Sequence, residues 1–266
     1  MTRHVAIVTG SATGIGRAVA LGLSARGWGV VLNYTTSKRE MADTETACRE
    51  AGGDPVVVRG DVAEDTVCRD LVRAAAGRWN RLDGLVSNAG VTRFVHADDL
   101  DGLDHSDFER IFRVNLVACW QLARASADLM RSTGSGSIVA ISSLSAFTGA
   151  GSSAAYAASK AALNTLTLSL ARVLAPQIRV NALCPGYVDT RWSRRRIGEE
   201  RYAAFRDSLN ATLPLKAMVN ADDVADAAIW LLASARAVTG QAIVVDAGEH
   251  LLTGPNVMSA PSSGDA

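Results

Sequence analysis

Residues 4–27, HVAIVTGSATGIGRAVALGLSARG, decide the fold. Residues 4–8 are short, apolar and rich in β-branched side chains, as a strand buried on both faces must be. From 15 to 26 apolar residues recur at helical spacing until Gly27 stops them. Between the two runs lies the turn TGSATGIG, residues 9–16, so the chain opens with a strand, a glycine turn and a helix.

The same alternation continues outward. Strands are expected near residues 30–32, 56–58, 82–87, 137–141, 178–183 and 242–245. Helices are expected near 38–51, 64–79, 106–131, 154–174 and 221–233. Continuous apolar strands separated by helices imply a parallel sheet covered on both faces through right-handed crossovers. The expected class is therefore α/β, a doubly wound Rossmann-like sheet. With no repeat or dividing linker, residues 1–253 read as one domain. The polar stretch 187–214 breaks the alternation at the carboxyl end of a strand, where such sheets place a substrate lid. Residues 254–266, GPNVMSAPSSGDA, read as a disordered tail.

Composition narrows the function. Lys plus Arg and Asp plus Glu are both 27, a net charge of zero, which gives no general attraction to nucleic acid or an anionic membrane. No two of Cys48, Cys68, Cys119 and Cys184 are closely spaced, which argues for a reducing compartment and against a metal site. No run reaches the roughly 18 apolar residues of a membrane span, and the first residues are too short a run for a signal peptide. A cytoplasmic protein without nucleic-acid or membrane partners is expected.

The turn places Gly10, Thr13, Gly14, Ile15 and Gly16 at the positive end of the first helix, where backbone can approach a pyrophosphate. The alternative is a tight connection with no ligand. An acid that accepts adenosine ribose hydroxyls would stand about 20 residues further on. Here Asn33, Tyr34, Thr35, Thr36 and Ser37, followed by Lys38 and Arg39, occupy that region, and no acid occurs before Glu40. Hydroxyls and cations suit a 2′-phosphate, so NADP is favoured over NAD.

Tyr156 and Lys160 are four apart on one helix face. A phenol titrates near 10, and a neighbouring cation lowers that value, making Tyr156 a usable general acid/base. Ser143 lies just past a strand at the sheet's carboxyl edge, where its hydroxyl can meet a substrate carbonyl. A core tyrosine beside a snorkelling lysine is the alternative. Serine hydrolysis is disfavoured, because no G-x-S-x-G elbow surrounds Ser143.

Together the turn at 9–16, Asn88-Ala89-Gly90, Asn115, Ser143, Tyr156-x3-Lys160 and Pro185-Gly186 resemble the short-chain dehydrogenases/reductases in order and spacing, over about residues 3–250. The resemblance implies that Tyr156 is the acid/base, that Lys160 lowers its pKa and holds the nicotinamide ribose, and that Ser143 orients the carbonyl. It also implies that Asn115 supports a proton relay. Gly10, Gly14 and Gly16 would hold the pyrophosphate, while Asp61 beside Val62 would meet the adenine. Asn88, Ala89 and Gly90 would underlie the adenosine, and Pro185, Gly186, Val188 and Thr190 would fix the nicotinamide. The chain departs from the family in having Thr13 where many NADP-preferring members carry a basic residue, and Ala247 where the family often has glycine.

The expected reaction is hydride transfer between nicotinamide and a carbonyl or secondary alcohol, most simply by an NADP-dependent ketone or 3-oxoacyl reductase. An NAD-dependent alcohol, sugar or steroid dehydrogenase is the alternative, and a non-catalytic dinucleotide sensor is the rival from another class. Arg191, Arg194, Arg195 and Arg196 in the lid suit an acidic or carrier-bound substrate, or else pair with Glu199 and Glu200 on a solvated face. A homotetramer follows from the resemblance, with the Tyr156 helix and the helix before it pairing across a twofold axis.

Overall fold

The computed structural model describes residues 3–96 and 98–253. Seven parallel strands form one sheet in the order β3-β2-β1-β4-β5-β6-β7. They are β1 Val5–Val8, β2 Gly29–Tyr34, β3 Asp54–Arg59, β4 Gly84–Ser87, β5 Gly136–Ile141, β6 Ile178–Pro185 and β7 Ala242–Val245. Their helices are α1 Gly14–Ser24, α2 Lys38–Glu50, α3 Asp65–Trp79, α4 His105–Phe112, α5 Ala118–Ser132, the single turn α6 Ser145–Thr148, α7 Ala154–Leu174, α8 Arg191–Ile197, α9 Glu199–Thr212 and α10 Ala221–Ala233.

Successive strand residues point to opposite faces, and here both faces are dry. Ala6, Val8, Val30 and Leu32 pack with Val19 and Leu23 of α1 and Ile229 of α10 on one side. Val5, Ile7 and Val31 pack with Leu71 of α3, Leu122 of α5 and Leu170 of α7 on the other. This explains why the strands carry unbroken apolar runs. Each fully buried Leu or Ile contributes about 1.5–3 kcal/mol. Gly22 lets α1 and α10 meet, since a Cβ there would lie 2.5 Å from Ile229 Cδ1.

The chain runs outward from β1 to β3, then returns to start β4 on the other side of β1. The loops leaving β1 and β4 therefore diverge and open a crevice at the carboxyl edge. Residues 187–214 form α8 and α9 beside that edge, while residues 254–266 lie outside the described residues. The helix expected over 106–131 differs: a π-helical stretch, Arg113–Val117, separates α4 from α5. Such a bulge re-aims a side chain without ending the helix, and the one it re-aims is Asn115. No helix among the described residues is long and apolar enough to cross a membrane.

Candidate active site

The crevice begins at the glycine turn. Thr13 N-caps α1 without a side-chain capping bond, and the first turn has no acidic residue. The leading N–H groups thus remain available to an anion. Gly10 and Gly14 adopt φ of +61° and +57°, which only glycine takes without strain. A Cβ on Gly16 would stand 2.5 Å from both Asn88 Nδ2 and the Gly10 carbonyl. Asn88 Nδ2 donates to the carbonyls of Thr9 at 2.8 Å and Gly10 at 3.1 Å, closing the turn against β4. Thr9, not singled out from the sequence, is fully buried, and its Oγ1 accepts from the backbone N–H groups of Asn88 and Ala89. Its only sequence signal is a hydroxyl at the end of an apolar strand. Thr190, N-cap of α8, approaches within 3.6 Å of where a Gly14 Cβ would lie. This backbone-lined cradle, with Ile15 half-buried beside it, fits a pyrophosphate.

At the end of β2 the candidate residues divide. Asn33 is buried; its Nδ2 donates to the Val58 and Gly60 carbonyls, and its Oδ1 accepts from Gly10 N–H at 3.3 Å. Its amide therefore braces the glycine turn against β3 instead of facing outward. Thr35, Thr36, Lys38 and Arg39 are exposed, Tyr34 is half-buried, and Ser37 caps α2 with no side-chain bond. Glu40, the first acid, pairs with Arg191 at 2.5 Å. A bond from backbone N–H and then the Arg191 guanidinium hold its carboxyl below the usual range. Asp61 accepts from Ala63 N–H and pairs with Arg110 at 2.7 Å, while Val62 is in the core.

The reacting groups meet at the crevice's other end. Ser153 Oγ accepts from Tyr156 N–H at 3.2 Å, fixing the first turn of α7. One turn on, Lys160 is only 4% exposed; its Nζ donates to the Ile141 carbonyl at 2.7 Å and stands 5.6 Å from the Tyr156 ring centre. Burial pushes the Lys160 ammonium down to about 8. Burial also pushes the neighbouring Cys119 thiol up to about 11 and raises that of Cys184, so neither is charged where Lys160 titrates.

Asn115, turned inward by the π stretch, accepts from Val91 N–H at 2.9 Å and donates to the Val91 carbonyl and to Ser159 Oγ. Gly90 passes over both groups: a Cβ there would lie 3.5 Å from Asn115 Oδ1 and 3.8 Å from Lys160 Nζ. Ser143 is half-buried just past β5, its Oγ accepting from Ser145 N–H. Ser159 and Ser142 were not anticipated. Ser159 Oγ donates to the Tyr156 carbonyl, and Ser142 Oγ to that of Lys160. Position 159, three after Tyr156, was the available signal for the first.

Beyond β6, the Pro185 carbonyl accepts from Leu144 N–H, Gly186 N–H donates to Val245, and Val188 bridges Val219. Two of the α8 arginines have described partners. Arg191 reaches Glu40, and Arg194 pairs with Asp189 at 3.1 Å and lies over the Tyr202 ring. Gly198, at a φ of +86°, ends α8, so Glu200 stands on the next helix, α9. The side chains of Arg195, Arg196 and Glu199 lie outside the described residues.

A doubly wound sheet with a glycine cradle at its switch point, and a buried lysine beside a tyrosine across the crevice, defines a dinucleotide-dependent oxidoreductase. Comparison with known proteins agrees. A family model described as Enoyl-(Acyl carrier protein) reductase matches residues 10–250. A Streptomyces violaceoruber protein assigned as ketoacyl reductase 2 of the granaticin polyketide synthase is 37% identical, over 93% of this chain and 96% of its own. L-rhamnose 1-dehydrogenase (NAD(P)(+)) of a Sphingomonas species is 34% identical, over 92% and 95%. A Burkholderia xenovorans structure assigned as a short-chain dehydrogenase/reductase superposes with a TM-score of 0.87 at 40% identity, covering 94% of this chain and 99% of that one. The chain belongs to the short-chain dehydrogenase/reductase family, oxidoreductases that act on alcohol or carbonyl groups with nicotinamide cofactors.

Proposed function

We propose that this enzyme reduces a ketone or 3-oxoacyl substrate with NADPH, and that Tyr156, Lys160, Ser143 and Asn115 carry the reaction. The supporting observation is the buried Lys160 ammonium, fixed on the Ile141 carbonyl and set beside the Tyr156 ring. A cation at that distance favours phenolate over phenol and so eases proton exchange. When bound, nicotinamide supplies the hydride, and the chain supplies position and the proton. Tyr156 Oη gives its proton to the forming alkoxide, Ser143 Oγ donates to the same oxygen, and Asn115 holds the Val91 segment beside Lys160.

NADP is supported by exposed Thr35, Thr36, Lys38 and Arg39 at the β2 edge and by the engagement of Glu40 with Arg191, which leaves no free acid there to repel a 2′-phosphate. A relative named as an NAD(P)(+) sugar dehydrogenase keeps NAD as the second reading. Residues 1–253 act as one unit in this reading, with 187–214 as the substrate lid. The test is NADPH and NADH oxidation with a panel of ketones, paired with Tyr156→Phe. Wild type should turn over and bind NADPH more tightly. Tyr156→Phe should lose roughly 10²–10⁴-fold in kcat while its NADPH affinity changes less than about twofold. Residual turnover near wild type would remove Tyr156 from the mechanism.

A further inference from the structure

Two large aromatic side chains stand exposed at the mouth of the site. Trp192 of α8 is 40% exposed and Phe94 44% exposed. Their ring centres are 6.3 Å apart with planes at 71°, forming a corner, and the Trp192 ring lies 6.1 Å from that of Tyr156. The corner is braced from both sides. Val95 N–H donates to the Ser152 carbonyl at 3.0 Å, and Thr92 Oγ1 bonds Ser152 Oγ at 2.6 Å, holding the Phe94 segment to the loop that starts α7. Trp192 is held by the neighbouring bond from Ser193 Oγ to the Val188 carbonyl at 2.6 Å and by the Arg191–Glu40 and Arg194–Asp189 pairs.

Those same pairs matter chemically. Arg191 and Arg194 already face carboxylates, so neither stands ready as a cation for an acidic substrate. What the corner presents is π surface. Exposed aromatic area gains most from a flat partner, which stacks offset or edge-on without freezing rotors, whereas a flexible chain loses rotamer freedom as it is ordered against the same wall.

We infer that the substrate carries a rigid ring beside its carbonyl, seated against Trp192 and Phe94 with the carbonyl directed at Tyr156. The preference follows from the wall and rests on the ketone-reductase reading above.

The test compares 1-tetralone with 2-decanone, which have equal carbon numbers but opposite rigidity. Each is measured for kcat/KM and, by isothermal titration calorimetry on the cofactor-loaded protein, for affinity. Wild type should favour 1-tetralone by at least about tenfold in both. Trp192→Ala should lower the 1-tetralone values roughly 10- to 100-fold and move 2-decanone less than about threefold, while Trp192→Phe recovers part of the difference. Equal handling of the two ketones by wild type, or equal losses in Trp192→Ala, overturns the inference. Ring-selective binding without any turnover would leave the wall standing and sink the reductase reading; turnover without ring selectivity would do the reverse.

Discussion

At the scale of single residues, Lys160 sets the tension between stability and chemistry. Its ammonium is useful because it is held against Tyr156, and costly because it is desolvated there. Burial lowers its pKa from 10.5 to about 8. Below pH 8 it is charged in both folded and unfolded chains, and the burial cost is fully felt. Between 8 and 10.5 the unfolded chain binds a proton that the folded chain has released, so this residue's contribution to stability rises with pH. A shift of that size corresponds to about 3 kcal/mol. The buried thiols of Cys48, Cys68, Cys119 and Cys184 act oppositely, since their folded pKa values lie above the ordinary 9.0 and they lose stability as pH rises past it. Comparison with Lys160→Met isolates the lysine. The difference in unfolding free energy, wild type minus variant, should grow by about 3 kcal/mol from pH 7.5 to 10.5 in urea titrations under reducing conditions. A flat difference would mean that the ammonium is solvated. The pair Tyr156 and Lys160 was legible from its spacing of four; its depth was not, because nothing local says that the carbonyl of Ile141, at the end of the expected strand, lies beneath the ammonium.

At the scale of elements, the π stretch between α4 and α5 joins the fold to the site. A regular helix through 106–131 is what the apolar spacing suggests, and spacing alone cannot register one residue inserted into the turn. The insertion is repaid by Asn115, which satisfies both backbone groups of Val91 in a buried place. Asn115→Ala leaves that N–H and carbonyl without their partner, at roughly 1–3 kcal/mol each. For a chain of this size that should lower Tm by roughly 5–10 °C, and kcat should fall with it as the Val91 segment loosens beside Lys160. Differential scanning calorimetry checks the first effect. An unchanged Tm would show that water replaces the side chain and that Asn115 does not brace the site.

At the scale of the molecule, the succession of strands along the chain and their parallel sheet were legible because the central strands are apolar on both faces, which in turn follows from helices covering both sides. The ends were less so: β2 runs on to Tyr34 and β6 to Pro185 because ladder pairs such as Asn33 with Val58 form through backbone, whatever the side chain. Assembly is the remaining question at this scale. Leu122 and Ala123 of α5 are buried against the sheet. The face beside them is not. Trp120, Leu168 and Val173 are 45%, 55% and 64% exposed, and a groove of about 240 Å³ between α5 and α7 is lined by Trp120, Ala127, Leu170 and Val173. An apolar strip on the two helices expected to meet across a twofold axis is what a self-complementary interface requires. Because Trp120 and Val173 are largely exposed, exchanging them should change the stability of the isolated subunit by only about 0.5 kcal/mol. Trp120→Glu with Val173→Glu should therefore convert a tetramer to a smaller species in light scattering while the circular dichroism of the sheet and helices is kept. A monomeric wild type would mean that there is no assembly, and a double variant that still runs as a tetramer would place the contact elsewhere; either leaves this strip without a role in assembly.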